Sequence, residues 1–505
     1  MIPVFPCAPA ACFEFPGPLC LSVTRGGLLF QSAAYLVVFL ICVALLVKIA
    51  APRVRQSALL LASYGLYLTW SRWFIAVLLF SVVINFLLGQ WLRRSPTPAR
   101  LWLGIIFNLL LLAACKYIPE VSVHFPFSSL QGLSHLALPL GISFWTFQAL
   151  SYLFDLYRGE ELDPTLPEFA LYMAFFPVTI SGPVCRMPDM LPQFRTEQTT
   201  SWDDIGEGLR RIAIGAFMMQ LARLLGQGIL AGDSISTGFD RVTNWTGPDV
   251  WCLAFGYGLQ LFFDFAGYSH IAIGAARALG IRVPENFQRP FASSNPSVFW
   301  TRWHMSLSFW IRDYIFLPLA MIRREIWWRN AALITAMVIF GLWHKASMLF
   351  VIWGCYHSVL LVLHRQLQQL HRKLNWQTSS GPLPLLAWLL TMLVISLGWI
   401  FFRANSVEQA NHMLSAIASP SSYTTHNLSA SLYLLVVLLA AGYAIVLVVA
   451  PKLAPPAGAP DSKGGFLLRS KWFWLPPLYL LAMMLLLMIT LSQGGGAAQL
   501  MYRGF

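Results

Sequence analysis

The residues of this chain that could do chemistry are polar groups set inside apolar runs. The run FGLWHKASMLFVIWGCYHSVLL, Phe340 to Leu361, is apolar enough for a bilayer yet carries His344, Lys345 and His357. A second stretch, Gly280 to Leu319, carries His304 among Arg282, Glu285, Arg289, Arg302, Arg312 and Asp313. Ionisable groups at membrane depth are costly and mark function. His304 follows Trp303 and His344 follows Trp343, each in a segment that breaks the apolar pattern. A neutral imidazole, with an ordinary pKa of roughly 6.5, can take a proton from a hydroxyl as that oxygen attacks an acyl carbon. With no GxSxG elbow and no evident Ser-His-Asp set, direct attack by an acceptor hydroxyl is the simpler mechanism.

The other polar groups read differently. On one continuous helix His357 would face away from His344, since thirteen residues at about 100° each leave them roughly 140° apart, so it reads as packing. His270, in DFAGYSHIAIG, reads as a hydrogen-bonded packing histidine, and the remaining six histidines fall in loops, span ends or a basic turn. A metal site built from His304, His344 and His357 lacks Cys or carboxylate support at ligand-like spacing, so no metal is expected. Asp264 and Arg302, both charged at depth, are expected to pair with each other. The eight cysteines show no CxxC pair, which argues against zinc and a disulfide framework.

The elements that must position these groups are membrane helices. With 57% hydrophobic and only 11% charged residues, the chain cannot cover a soluble surface with charge. The net charge of +13 forms no basic stripe beside a polar foldable domain, which excludes nucleic acid; it sits in short loops between apolar runs. Runs recur from 33–50 to 472–491, among them 57–71, 133–154, 168–182 and 208–230, and predict roughly 11–13 membrane segments at about 20 residues each. Placing the basic patches inside (Lys48, Arg53 and Arg55; Arg93, Arg94 and Arg100; Arg323, Arg324 and Arg329; Arg365, Arg372 and Lys373; Lys463, Arg469 and Lys471) starts the first span outside and makes 115–132 an external loop. Pro284, Pro290 and Pro296 rule out one long helix in Gly280–Leu319, which reads as re-entrant or interfacial and lining a cavity. The part VFWTRWHMSLSFWIRDYIF suits a tilted amphipathic helix capped by Asn295 or Ser297. Residues 1–27, rich in Pro and Cys and poor as a signal peptide, read as a disordered extension or a mis-called start; 28–505 reads as one polytopic domain.

The motifs LFFDFAGYSHIAIG, VPENFQRPF, FWTRWHMSLSFWIRDYIFLPL, GLWHKASMLFVIWGCYHSVLL and GWIFFRA follow one another in this order. With the earlier PLGISFWTFQALSYLFDLYRG and FFPVTISGPVCRMPDMLPQF, the chain resembles the membrane-bound O-acyltransferases from about Leu28 to Arg403, with a motif core at about 136–403. The branch it is most similar to is the bacterial one: alginate O-acetylation membrane proteins, cellulose-acetylating relatives and D-alanyl transfer proteins of teichoic acid. The resemblance implies an all-α polytopic fold, a ring of tilted helices around a funnel with re-entrant segments. It implies an inner-membrane enzyme that takes an acyl group, most simply acetyl, from a cytoplasmic thioester such as acetyl-CoA. The acyl group goes to hydroxyls of a secreted polysaccharide, with a periplasmic acetyl-esterase-like partner and no bound cofactor. It places the family histidine at His344 as general base, and the family's Asn-or-His position at His304, positioning donor or acceptor.

Supporting roles in binding donor or substrate fall to Asp264, Arg302, Trp303 and Trp343, with Asn286 and Arg289 at the cytoplasmic mouth. Two positions depart from the family pattern. Lys345 stands where the residue after WH is usually Gly, beside the proposed base, where it would partly fill the tunnel or meet an anionic donor group. His270 stands where the alginate-type proteins carry an acidic residue. Two alternatives stay open: D-alanyl or other acyl transfer to a cell-envelope polymer, and a non-enzymatic transporter with a polar cavity.

Overall fold

The computed structural model describes residues 51–70, 72–116, 139, 141–196, 200–228, 233–240, 242–373 and 383–453, with scattered positions from 40 to 48. The extension 1–27, most of the expected first span and of the loop 115–132, the patch Lys463, Arg469 and Lys471, and the expected span 472–491 lie outside these residues.

Every regular element among the described residues is helical. Three helices come first, α1 (Pro52–Trp70), α2 (Arg72–Arg94) and α3 (Pro98–Lys116). They are followed by α4 (Ile142–Tyr157) and the short α5 (Leu166–Ala174) and α6 (Met187–Arg195). Next come α7 (Trp202–Gln227), α8 (Ile235–Asp240) and α9 (Gly247–Ala278). A broken stretch holds α10 (Pro296–Trp300), α11 (Met305–Ile311), a π-helical turn (Arg312–Phe316) and α12 (Leu317–Ile322). The described chain closes with α13 (Ile326–His344), α14 (Met348–Lys373), α15 (Leu383–Arg403), α16 (Val407–Ala418) and α17 (Ala430–Leu453). Eight helices among the described residues are long and apolar enough to cross a membrane, and of the 11–13 segments expected, 472–491 and most of 33–50 lie outside those residues. Exposed leucines such as Leu79, Leu103 and Leu434 line their outer sides, as lipid contact requires.

The expected span 168–182 is one of those corrected. Its helix, α5, stops at Ala174 because Pro177 disfavours helical backbone at the residue before it. The chain then turns, and the Phe176 N–H is caught by Ser63 Oγ at 3.2 Å. At the other end of α5, Thr165 and Glu168 form a reciprocal capping box, and Arg195 binds Glu168 at 2.7 Å. That guanidinium holds the Glu168 carboxyl down at about 2.

Among the described residues the pair α7 and α9 packs along the most extensive contact, for a reason visible in its glycines. A Cβ on Gly274 would lie 2.5 Å from the Gly208 carbonyl oxygen, and one on Gly267 would lie 2.7 Å from that of Gly215. The two glycines on each helix are seven residues apart, two turns, so both recur on one face. Between apolar helices in lipid, small residues are what let backbones approach and disperse against each other. Both helices start with capping boxes, Ser201 with Asp204 and Thr246 with Asp249.

Contacts between helix ends sort the fold onto two faces. On one face, Arg55 at the start of α1 donates to the Thr196 carbonyl at 2.7 Å. There too, Arg93 at the end of α2 pairs with Asp163, and Arg277 at the end of α9 pairs with Asp204 at 2.6 Å. Asn330 near the start of α13 meets Arg365 on α14 at 3.3 Å. On the opposite face, Asp249 at the start of α9 accepts from the Asn427 and Leu428 amides and Tyr433. There Arg403 at the end of α15 pairs with Asp240 at 2.8 Å. The basic patches of the described chain therefore share one face, which the positive-inside rule makes the inner one. His344, at the far end of α13, belongs to the outer half.

Candidate active site

His304 is placed by a break in the helix that the sequence led one to expect. Asn295 caps α10, accepting from the Val298 amide at 2.9 Å, and α10 ends after one turn. His304 then takes a left-handed conformation, φ 43° and ψ 51°, and starts α11 in a new direction. VFWTRWHMSLSFWIRDYIF is thus not one amphipathic helix. Left-handed backbone is uncommon outside glycine and persists where the surroundings over-determine it.

Here the surroundings are a buried hydrogen-bond bracket centred on Asn286. Its carbonyl accepts from the Met305 amide at 2.8 Å, and its Oδ1 accepts from Ser306 Oγ at 2.5 Å. Its Nδ2 donates to Ser269 Oγ at 3.0 Å, which ties the bracket to α9. The Gln288 amide donates to the Arg302 carbonyl at 3.0 Å, closing the turn on its other side. Asn286 was expected at the cytoplasmic mouth; it is fully buried, because both ends of its amide are consumed in holding the backbone around His304.

His344 ends α13, and a short break separates it from α14, so His344 and His357 do not share a continuous helix. His357 is buried against Trp300 and Trp353, at ring-centroid distances of 5.1 and 4.9 Å. His344 and His304 line one small hollow of about 20 Å³, room for roughly a water molecule. Its walls are aromatic: Phe265 from α9, Trp300 and Trp303, Phe340 from α13, Trp353 from α14, and Trp399 and Phe402 from α15. His304 stands edge-on to Phe265 at 4.5 Å, and His344 lies 4.7 Å from Trp343 and 5.1 Å from Phe402. The structure thus joins two histidines forty positions apart in one water-poor space.

The remaining sequence-predicted residues divide. Trp303 lines the hollow, stacked on Phe299 at 5.4 Å. Trp343 flanks His344 and packs on Phe147 at 5.2 Å. Asp264 is buried one residue from Phe265 but forms no ion pair with Arg302, whose Nη1 instead approaches the Ala292 carbonyl at 3.5 Å. Arg289 is exposed at a left-handed corner, φ 52°. Lys345 neither fills the hollow nor faces the base. Its extended backbone, φ −154° and ψ 135°, leaves the helix, and the side chain is exposed. Among the described residues no group of three or more His, Cys, Asp and Glu is arranged to hold a metal.

The cation that does reach the end of α13 is one the sequence did not reveal. Lys116, the last residue of α3, donates to the Trp343 carbonyl at 2.5 Å and the His344 carbonyl at 3.2 Å. The last carbonyls of a helix have no partner within it, and a lysine there also complements the helix dipole. Lys116 therefore caps α13 from another helix, 228 positions away from His344. The only sequence signal is a lone lysine closing an apolar run.

Comparison with known proteins adds four findings. A family model described as MBOAT, membrane-bound O-acyltransferase family, matches residues 56–404. A probable alginate O-acetylase of Pseudomonas aeruginosa is 33% identical over 408 residues, covering 78% of this chain and 75% of that protein. Its counterpart in Azotobacter vinelandii is 32% identical over 465 residues, covering 86% and 88%. A peptidoglycan O-acetyltransferase of Helicobacter pylori is 32% identical over 415 residues, covering 75% and 76%.

Proposed function

The chain belongs to the membrane-bound O-acyltransferase family, and from that premise we propose that it acetylates hydroxyls of an exported or cell-envelope polysaccharide. It is a multi-pass membrane enzyme rather than a transporter. In the proposed reaction an acyl thioester, acetyl-CoA or a similar donor, arrives from the inner face of a bacterial inner membrane. The acceptor hydroxyl arrives from the outer half, directly or through a periplasmic partner protein. His344 takes the hydroxyl proton as the oxygen attacks the thioester carbon. The carbon–sulfur bond then breaks, and the leaving thiolate takes the proton back from the imidazolium. His304 orients donor or acceptor, and the aromatic walls keep water from hydrolysing the thioester.

The observation that carries this reading is the pairing of His304 and His344 on one buried hollow toward the outer ends of α13 and α15. Arg289, exposed near the inner end of the broken stretch, is proposed to line the mouth there, and Asp264 to support the wall that carries Phe265. The test is mass spectrometry of polymer-bound esters in cells with and without the protein. Loss of O-acetyl esters is expected; an unchanged ester pattern would overturn the reading, and loss of D-alanyl esters alone would replace acetyl by D-alanyl.

Lys116 gives a prediction of its own. Replacing it by Met removes the donor to the Trp343 and His344 carbonyls and lets His344 drift. A displacement near 1 Å can cost up to about 10²-fold, so a loss of roughly tenfold in kcat is expected. Lys116→Arg, which can still donate to both carbonyls, retains most of the turnover. Purified variants assayed at equal protein should show that order; equal activity of Lys116→Met and wild type would sink it.

A further inference from the structure

Several arginines on the inner face are matched by a carboxylate: Arg93 has Asp163, Arg195 has Glu168, Arg211 has Glu285 and Arg277 has Asp204. The corner between α12 and α13 differs. Arg323, Arg324 and Arg329 are exposed there, and every ion pair among the described residues lies elsewhere. Glu325 is the single carboxylate in the segment 321–330, so the corner carries an excess of two positive charges. Arg365 of α14 joins it through Asn330 at 3.3 Å and adds another.

Charge alone does not choose a partner; the neighbouring side chains do. Met321, Ile322, Ile326 and Trp327 are all exposed in the same corner. The Arg323 guanidinium lies over two indoles, 5.9 Å from the Trp327 ring and 5.1 Å from the Trp328 ring. Those rings stand at 88° to each other, and Trp328 Nε1 is fixed by donating to the Leu319 carbonyl at 2.7 Å. Arg323 is thus held by ring faces rather than by an ion pair, which leaves its N–H fork for an anion.

Depth and direction narrow the choice. The 19 residues of α13 span about 29 Å, close to the roughly 30 Å of a hydrocarbon core. Its first turn therefore stands at the inner headgroup boundary, where tryptophan anchors. Ile334, two turns on from Trp327, is exposed as well, so this side of α13 faces lipid. Phe340, which lines the hollow of His344, is thirteen residues from Trp327 and so about 140° round the helix. The corner looks away from the active site and into the bilayer. A partner for it must carry negative charge at headgroup depth and apolar surface just above.

We propose that the α12–α13 corner binds an anionic phospholipid of the inner leaflet. The lipid phosphate lies on Arg323, Arg324 and Arg329, and its acyl chains lie along Met321, Ile322 and Ile334. The test uses the purified full chain in neutral detergent and reads the fluorescence anisotropy of tail-labelled phosphatidylglycerol against equally labelled phosphatidylcholine. Phosphatidylglycerol should bind the more tightly. Arg323→Gln with Arg324→Gln and Arg329→Gln should weaken it roughly 10²-fold, at about fivefold for each basic residue, and leave phosphatidylcholine unchanged. Arg372→Gln with Lys373→Gln, which removes exposed charge from the inner end of α14, should change neither lipid. A second measurement needs no variant: binding of phosphatidylglycerol to wild type should fall steeply as salt is raised, because exposed charges are screened. Equal binding of the two lipids, indifference to salt, or equal loss in the α14 control would each overturn the site. Displacement of phosphatidylglycerol by inorganic phosphate at equal concentration would also overturn it, showing a site for soluble anions instead of lipid.

Discussion

His344→Gln is expected to lower acetyl transfer by about 10³-fold while the protein still inserts and elutes as wild type does. The size follows from the role: a positioned general base contributes roughly 10²–10⁴-fold. Glutamine keeps much of the ring's bulk between Phe340, Phe350 and Phe402, so the loss is not that of a cavity. Alanine would mix the two effects, because removing a ring from this packing costs stability in its own right. The measurement is kcat at equal purified protein, with size-exclusion profiles to establish folding. Retention of more than a tenth of the wild-type rate would exclude His344 as the base. His304→Asn behaves differently. Asparagine tolerates the left-handed conformation of residue 304 and keeps a polar group on the hollow, so transfer should stay within about tenfold of wild type. A matched loss at both positions would mean that the two histidines act as one unit.

His344 was legible in the sequence because a polar side chain inside an apolar run is costly whatever the fold around it. Its partner His304 was legible for the same reason, but not its geometry. Nothing in FWTRWHMSLS announces left-handed backbone at a histidine; that comes from the Asn286 bracket, which draws on Ser269 and Ser306 from separate elements. Asn286 was misjudged for a related reason. A polar residue beside Arg289 suggests a wet mouth, whereas one that can satisfy its whole amide internally is free to be buried. Lys345 was misjudged because neighbours in sequence point apart where a helix ends, and Lys116 was missed because no local pattern joins residues 228 positions apart. The helices themselves were mostly visible as apolar runs, and the misread span at 168–182 fell to Pro177. Hydropathy measures how apolar a stretch is, not whether its backbone can stay helical.

Gly267→Leu should cost heavily, because it acts on backbone contact that cannot relax locally. A Cβ at Gly267 would sit 2.7 Å from the Gly215 carbonyl oxygen. Even close carbon–oxygen contacts between helices need about 3.3 Å, so alanine alone forces α7 and α9 apart by roughly half an ångström. Leucine adds three more carbons in the same direction. Overpacking of a well-packed contact costs typically 1–3 kcal/mol, occasionally more, and here the Gly208–Gly274 contact two turns along opens with it. The damage reaches the chemistry, because α9 brings Leu261 and Phe265 to the hollow and Ser269 to Asn286. Gly267→Ala should therefore lower the melting temperature of detergent-solubilised protein, and Gly267→Leu should leave little monodisperse protein to recover. Gly442→Leu is the matched comparison: a Cβ there meets nothing within 4 Å, and the site lies on an apolar helix where leucine is at home in lipid. If Gly267→Leu and Gly442→Leu melt alike, close backbone contact between α7 and α9 is not what holds the wall behind His304.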